Sequence, residues 1–577
     1  MKKTFQNYSN KLVAVFFLLA LFLFHTSVVA QEKNPLFQLQ TAFERGDLSL
    51  DEAVLQQLDF LKNHTHSEAD HIKCGTTLFL MMAKYEDSLK EETKEAVSEA
   101  FSSSSFIASE SYISASGKFI VNYETTGRDA VPIADENNNT IPDYVEWIAE
   151  AADSSHEYIL GLGFTDFFTQ KSMPYEIRVA DGGAYGFTPF PDAPYIGIEN
   201  DFVGFPENDD PEGDQKGAVK VTIAHELKHV FQYVQNGWSG DPDRWLEMDA
   251  TLYEEIVYDQ VNDYYNYLNN FGNGNLFRNP TTSQIPGSYE DIVWALFFEE
   301  RFGNTFWTEV WDRIESQSPS ISYLEAIEGA LSEFDVSFEE ALVENLLWHF
   351  ATGIDNSSMS FGFDERTYYP GPRLEETFLD LQLTLSAMEP LSRFTGKYFE
   401  FDVLQENPNR LRIDVLPSST EVQTGLIVYY DDLTVETLLI TNPIENEINF
   451  EETDFSWSQI DRLGLVFFNS STTASQNVQF QIYDYTPSNI SSPELSQNYP
   501  NPFNPNTIIS IALPFSQEIK LTVYDYLGRE VQVLREGRLP SGITSVSFNA
   551  SRLASGIYFY RLETSEGVLT KRMTFIK

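Results

Sequence analysis

The hydrophobic rhythm of this chain changes several times along its length. Leu48 to Leu61 and Thr77 to Ala100 carry apolar residues at helical spacing among Glu and Lys, which predicts a helical region over 31–111. The serine run Ser102–Ser105 reads as a linker. Beyond it the period shortens: Lys118–Tyr123 and Tyr175–Ala180 read as strands, and helical spacing returns from Gln215 to about Thr352. From Phe394 to about Tyr485 apolar and polar residues alternate between polar turns, as in Arg410–Leu416 and Gly425–Tyr430, which predicts an all-β sandwich. A Pro/Asn/Ser-rich stretch at 486–506 leads into a last β-rich module. These shifts divide the chain into 1–30, 31–111, 112–385, 386–487 and 488–577, too much for one core.

The first thirty residues have a separate purpose. Lys2, Lys3 and Lys11 precede an apolar run from Leu12 to Phe24, and Val28 and Ala30 are small. This is the pattern of a secretory signal peptide cut after about Ala30, and it is too short for a membrane anchor. No later segment is long and apolar enough to span a bilayer, so no transmembrane segment is expected after cleavage. The formal charge of −50 excludes a nucleic-acid partner and favours cations. The single cysteine, Cys74, excludes an internal disulfide.

The chemistry concentrates at Ala224-His225-Glu226-Leu227-Lys228-His229. On a helix, residues i and i+4 share a face, so both imidazoles can reach one zinc ion while Glu226 stands beside a bound water. Ile223, Leu227, Val230 and Val234 form an apolar stripe that supports the helix and places the histidines on the other side. Seventeen residues separate His229 from Glu247, which stands in Arg244-Trp-Leu-Glu-Met-Asp-Ala-Thr-Leu-Tyr-Glu254, with Asp241-Pro242 as a start signal for a second helix. Glu247 is the expected third ligand, Glu254 an alternative and Glu255 a weaker one. This arrangement resembles the gluzincin metallopeptidases, whose aminopeptidase branch carries a Trp-Leu and Glu helix after H-E-x-x-H. The Trp-to-Glu gap here is one residue shorter. The resemblance implies a zincin-like α+β domain in which Glu226 is the general base acting on a metal-activated water. Tyr253, Tyr264 and Tyr265 are candidates for stabilising an oxyanion.

Two further patterns suggest cation chemistry. Asp135, Asn137, Asn139, Ile141 (through its carbonyl), Asp143 and Glu146 occupy positions 1, 3, 5, 7, 9 and 12 of a twelve-residue loop, the spacing of a calcium loop. Thr140 stands where such loops carry glycine, and a helix is expected from Val145 to Leu162. Cys74, in His71-Ile-Lys-Cys-Gly-Thr76, resembles the cysteine-switch segment of matrix metalloproteinase pro-domains. That resemblance implies a latency thiolate on the zinc and makes 31–111 a candidate propeptide; the other reading is a buried structural cysteine.

The last module contains Leu495-Ser-Gln-Asn-Tyr-Pro-Asn-Pro-Phe-Asn-Pro505, Val523–Glu530, Leu553–Arg561 and the basic pair Lys571-Arg572. It resembles the type A sorting domain of the type IX secretion system, which implies a small β-sandwich read by an outer-membrane translocon. Residues 112–355, with the Asp/Asn loop, Asn200-Asp201-Phe202, the H-E-x-x-H helix and the Trp/Glu helix, resemble a family of secreted bacterial metalloproteases. The expected architecture is thus multidomain: a helical N-terminal region, an α+β zincin-like metallopeptidase domain, a β-sandwich and a β-sandwich sorting domain. The expected activity is zinc-dependent hydrolysis of extracellular polypeptides. The alternative is a surface adhesin that binds through the central sandwich.

Overall fold

The computed structural model describes residues 34–63, 72–102, 108–239, 245–270, 279–318, 321–353, 361–378, 385–402, 410–432, 434–440, 448–451, 460–485, 492–514, 517–539 and 542–577. The signal peptide, most of the serine linker and Asp241-Pro242 lie outside them. The chain divides into two compact units, the first ending with Gly362–Arg373 and the second taking up at Leu374.

The first unit opens with helices α1 (Pro35–Glu44) and α2 (Leu50–Asn63). Asn34 caps α1 by accepting the Leu36 N–H at 2.9 Å, with Pro35 at the first position. Ser49 and Glu52 cap α2 reciprocally. Strand β1 (Ile72–Cys74) follows, then α3 (Thr76–Lys84) and α4 (Glu91–Ala100). The helical periodicity of this region gives no sign of β1, because three residues are too few to show a period of two.

Strand β1 belongs to a six-stranded sheet with β2 (Glu110–Ile113), β3 (Phe119–Tyr123), β4 (Tyr175–Val179), β5 (Ala184–Phe187) and β6 (Tyr195–Ile198). The order is β1-β5-β6-β4-β3-β2. β1 runs parallel to β5, pairing Ile72 with Ala184 and Cys74 with Gly186. The N-terminal region therefore covers the edge that β5 would otherwise expose. Helix α5 (Asp143–Gly161) packs on β3, and α6 (Asp214–Asn236) packs on β5 and β6. Gly186 sets this approach: a Cβ there would stand 2.7 Å from Thr222 Cγ2 and 2.9 Å from Glu226 Cγ.

Helix α6 ends at Gly237, whose left-handed backbone (φ 66°) closes the last turn. It is buried on nearly all sides, the histidine face included. Helix α7 (Trp245–Tyr258) crosses it, and α8 (Tyr265–Asn270), α9 (Ile292–Phe302), α10 (Phe306–Gln317), α11 (Tyr323–Leu331) and α12 (Phe338–Phe350) complete the unit. Trp245, Trp294, Trp307 and Trp311 are all buried there.

The second unit is all β. One sheet is β12-β11-β14-β9-β7 (Val435–Ile440, Val422–Tyr430, Ile460–Asn469, Gly396–Asp402, Glu376–Phe378). The other is β13-β10-β15-β8 (Ile448–Glu451, Arg410–Pro417, Gln476–Tyr485, Leu385–Leu391). Phe399, Leu426 and Leu465 of the first share a core with Ile413 and Phe480 of the second, which makes a sandwich. Strand β7 already pairs with β9, so the sandwich begins before the composition shift at 386. The last module has one sheet of β16-β17-β20 (Glu494–Leu495, Asn506–Leu513, Gly542–Asn549) and another of β19-β18-β21-β22 (Glu530–Leu539, Gln517–Asp525, Gly556–Thr564, Gly567–Phe575). Ile509, Ile511, Leu521, Val523, Tyr560 and Leu562 form its core.

Candidate metal centre

Helices α6 and α7 bring His225, His229 and Glu247 together, and β1 adds Cys74. One ligand atom from each of these four buried residues lies within 4.8 Å of all the others. His225 Nε2 is 3.2 Å from His229 Nε2, and Glu247 Oε2 is 3.3 Å and 3.6 Å from the two rings. Cys74 Sγ is 3.6 Å from His229 Nε2. A tetrahedron built on zinc bond lengths has N–N edges of about 3.3 Å and N–S edges of about 3.6 Å. The donor set and its spacing fit a zinc ion.

The outer ring atoms fix which lone pairs point inward. His225 Nδ1 donates to Glu254 Oε1 at 2.8 Å, and His229 Nδ1 donates to Gln232 Oε1 at 2.8 Å. The Gln232 amide is oriented by its Nε2, which donates to Leu246 O and Asp249 Oδ2. Both Nε2 atoms therefore turn toward the centre, as in metal-binding histidines whose second nitrogen is held. Burial works against charge here, but Glu247 and Glu254 prevail and push His225 up to about 9. Burial would also raise Glu247, yet the two imidazoles hold it at about 2. The centre is thus built for positive charge. Glu254, the alternative ligand, sits behind His225 and pairs with Lys73 Nζ at 2.8 Å.

Glu226 points into the same site. Its Oε1 accepts from Cys74 Sγ at 3.2 Å; its Oε2 accepts from Thr188 Oγ1 at 2.8 Å and Thr76 Oγ1 at 3.1 Å. Thr77 Oγ1 donates to Glu247 Oε1 at 3.1 Å, and the Gly75 N–H donates to Gly186 O at 2.9 Å. Residues 73–77 thus occupy the space in front of α6. Burial, then Glu226 and Glu247, push the Cys74 thiol well up. Tyr264 is engaged elsewhere, donating to Glu365 at 2.6 Å, and Tyr253 packs under Lys228.

The 135–146 loop folds on itself. Asp135 accepts the Asn139 and Thr140 N–H groups, and Asn139 Oδ1 accepts that of Ile141. Asn137 and Asn139 both donate to Glu146, at 2.7 and 2.6 Å. Asp143 accepts the Glu136 N–H and opens α5, two residues before the expected start. Asn138 and Thr140 both adopt positive φ, 59° and 79°, so Thr140 takes the backbone conformation that glycine would favour.

In the last module the 495–505 segment is tied to the sandwich. Tyr560 Oη donates to Ser496 O at 2.7 Å and accepts the Asn498 N–H, while the Asn498 side chain donates to Thr507 and Pro500 O. Phe503 packs on Phe548 and Phe575. The family model described as "Secretion system C-terminal sorting domain" matches residues 497–577. The chain ends in a type IX sorting domain. This sorting domain marks the protein for export and a secreted or surface location through the type IX machinery, its partner.

A search of curated proteins finds no match. Among solved structures, the pre-peptidase C-terminal domain of collagenase from Bacillus anthracis is similar at 13% identity, covering 19% of this chain and 99% of that one (TM-score 0.15). The adhesin domain of Epf from Streptococcus pyogenes is similar at 12% identity over 33% of this chain and 76% of that one (TM-score 0.12). Dimeric latent PorU from Porphyromonas gingivalis is similar at 8% identity, covering 35% and 32% (TM-score 0.13). At such TM-scores these similarities carry no argument about this chain.

Sequence reasoning missed Gln232, Thr76, Thr77, Thr188 and Lys73. Gln232, three residues after His229, lies where a helix presents the same face, so spacing could have found it. Thr188 sits in a loop and carries no such signal.

Proposed function

We propose that this chain is an exported zinc-dependent peptidase made as a self-blocked precursor. The observation that carries the reading is the convergence of Cys74, His225, His229 and Glu247 at zinc-like spacing. His225, His229 and Glu247 would hold the metal, and Cys74 would fill the position that a catalytic site keeps open. Bound there, zinc would supply a Lewis acid that polarises a peptide carbonyl and acidifies a water. Glu226 would take the proton from the attacking water and deliver it to the leaving amine, with Thr188 holding its carboxylate in place. With β1 gone, the freed edge of β5 offers backbone groups to an extended polypeptide substrate. In the same reading the 135–146 loop is a structural calcium site.

The test is metal analysis of the full chain together with peptide hydrolysis after the N-terminal region is displaced. About one zinc per chain is expected. Glu226→Gln should keep the zinc and lose about 10²- to 10⁴-fold in kcat/KM. A chain that binds no zinc sinks the reading and favours a surface binding protein. A zinc-loaded Glu226→Gln variant as active as the parent sinks the assigned mechanism.

A further inference from the structure

Glu255 follows Glu254 on α7 but faces different company. Its side chain is only 7% exposed, yet among the described residues no hydrogen-bond donor or cation is recorded against its carboxylate. Carboxylate oxygens of Glu255, Asp259 and Glu365 lie within 4.8 Å of one another. Oxygens around one calcium ion stand at most about twice a calcium–oxygen bond of about 2.4 Å apart, and these three stay within that limit. The tyrosine hydroxyls of Tyr264 (2.6 Å) and Tyr369 (3.4 Å) both donate to Glu365 Oε2 and fix its orientation.

We propose that Glu255, Asp259 and Glu365 form a calcium site that ties the end of α7 to the 362–369 segment. Three converging carboxylates repel one another when ionised, and a cation between them relieves that repulsion. The donors are all oxygens, which selects a hard ion over zinc. Exposed Asp259 gives the ion a path from solvent. Burial, together with the nearby carboxylates of Glu365, Asp259, Glu254 and Glu300, pushes Glu255 up to about 10. The cluster shares no residue with the Cys74–His225–His229–Glu247 centre or with the 135–146 loop.

The experiment uses the full chain, stripped of calcium, with zinc held at one equivalent. Calcium is titrated by calorimetry and by thermal melting into the parent, Glu255→Gln, Asp259→Asn and the loop variant Glu146→Gln. The expected result is loss of one calcium equivalent, or affinity weakened about tenfold or more, in Glu255→Gln and Asp259→Asn. The same equivalent should persist in Glu146→Gln. If Glu255→Gln does not fold, the exposed Asp259→Asn decides alone. Unchanged calcium uptake and thermal gain in the folded variants would overturn the site. So would a parent whose calcium uptake is abolished entirely by Glu146→Gln, or a Glu255→Gln chain that is more stable without calcium than the parent is with it.

Discussion

The buried centre at His225–Glu247 and the 135–146 loop are both rich in metal-ligand chemistry, but they are built in opposite ways. At the centre three of the four converging residues are held from behind: Glu254 holds His225, Gln232 holds His229 and Thr77 holds Glu247. The donors left over point at one another. In the loop the oxygens are spent on neighbouring N–H groups, with Glu146 closing onto Asn137 and Asn139. In the first arrangement the ligand atoms converge at a spacing that a zinc ion would fit; in the second the oxygens are satisfied by their own chain. Preorganisation, rather than ligand count, separates them.

The largest effect expected from breaking the comparison is at Cys74. Cys74→Ala leaves three ligands while removing the fourth. The precursor should keep its zinc, and its peptide hydrolysis should rise about tenfold or more, equivalent to about 1.4 kcal/mol of lost blocking affinity. Equal activity in parent and variant would make Cys74 a structural thiol. Next comes Gln232→Ala, which removes the group that orients His229. Zinc affinity should weaken about 10- to 100-fold, measured by competition with a chelator dye, with little change in melting when zinc is saturating. Unchanged affinity would mean that His229 is held by packing alone. The loop should respond more weakly. Asp135→Asn should lower the calcium-dependent gain in melting temperature by a few degrees and leave zinc content unchanged. A loop variant that loses zinc would erase the distinction.

How much of this was legible in the sequence follows from how local each feature is. His225, Glu226 and His229 share one helix, so spacing alone placed them together. Glu247 needed a second helix, whose start signal Asp241-Pro242 lies outside the described residues. Its choice over Glu254 required the ring geometry, because residues seven apart on α7 face the same way. Cys74 was visible as a lone thiol, but β1, which delivers it, is three residues long and pairs with a strand more than a hundred residues away. Thr188 and the Glu255–Glu365 cluster depend on tertiary contacts that no periodicity reports. The alternating runs of the sandwich and sorting domain were legible because hairpin partners are close in sequence.

The smallest effect tests the same contrast inside the core. Glu199, like Glu247, is a buried carboxylate, but it faces backbone N–H groups, Asp181 and Asp201 in place of imidazoles. Burial, aided by those two acidic neighbours, pushes it up to about 8 against the N–H groups of Gly182 and Asn200. Its ordinary value is 4.5, so between the two the folded chain holds a proton that the unfolded chain has released. Stability contributed by this group is therefore full below about 4.5, falls as pH rises toward about 8, and is absent above. Glu247 runs the other way, its contribution being lost as pH falls toward about 2. Glu199→Gln should flatten the decline in melting temperature between pH 5 and 8 by a few degrees, read by calorimetry with zinc and calcium saturating. An unchanged slope would place the buried charge of this sheet on other carboxylates, and an inverted slope would mean that Glu199 is ionised and held by neighbouring positive charge, as the imidazoles hold Glu247.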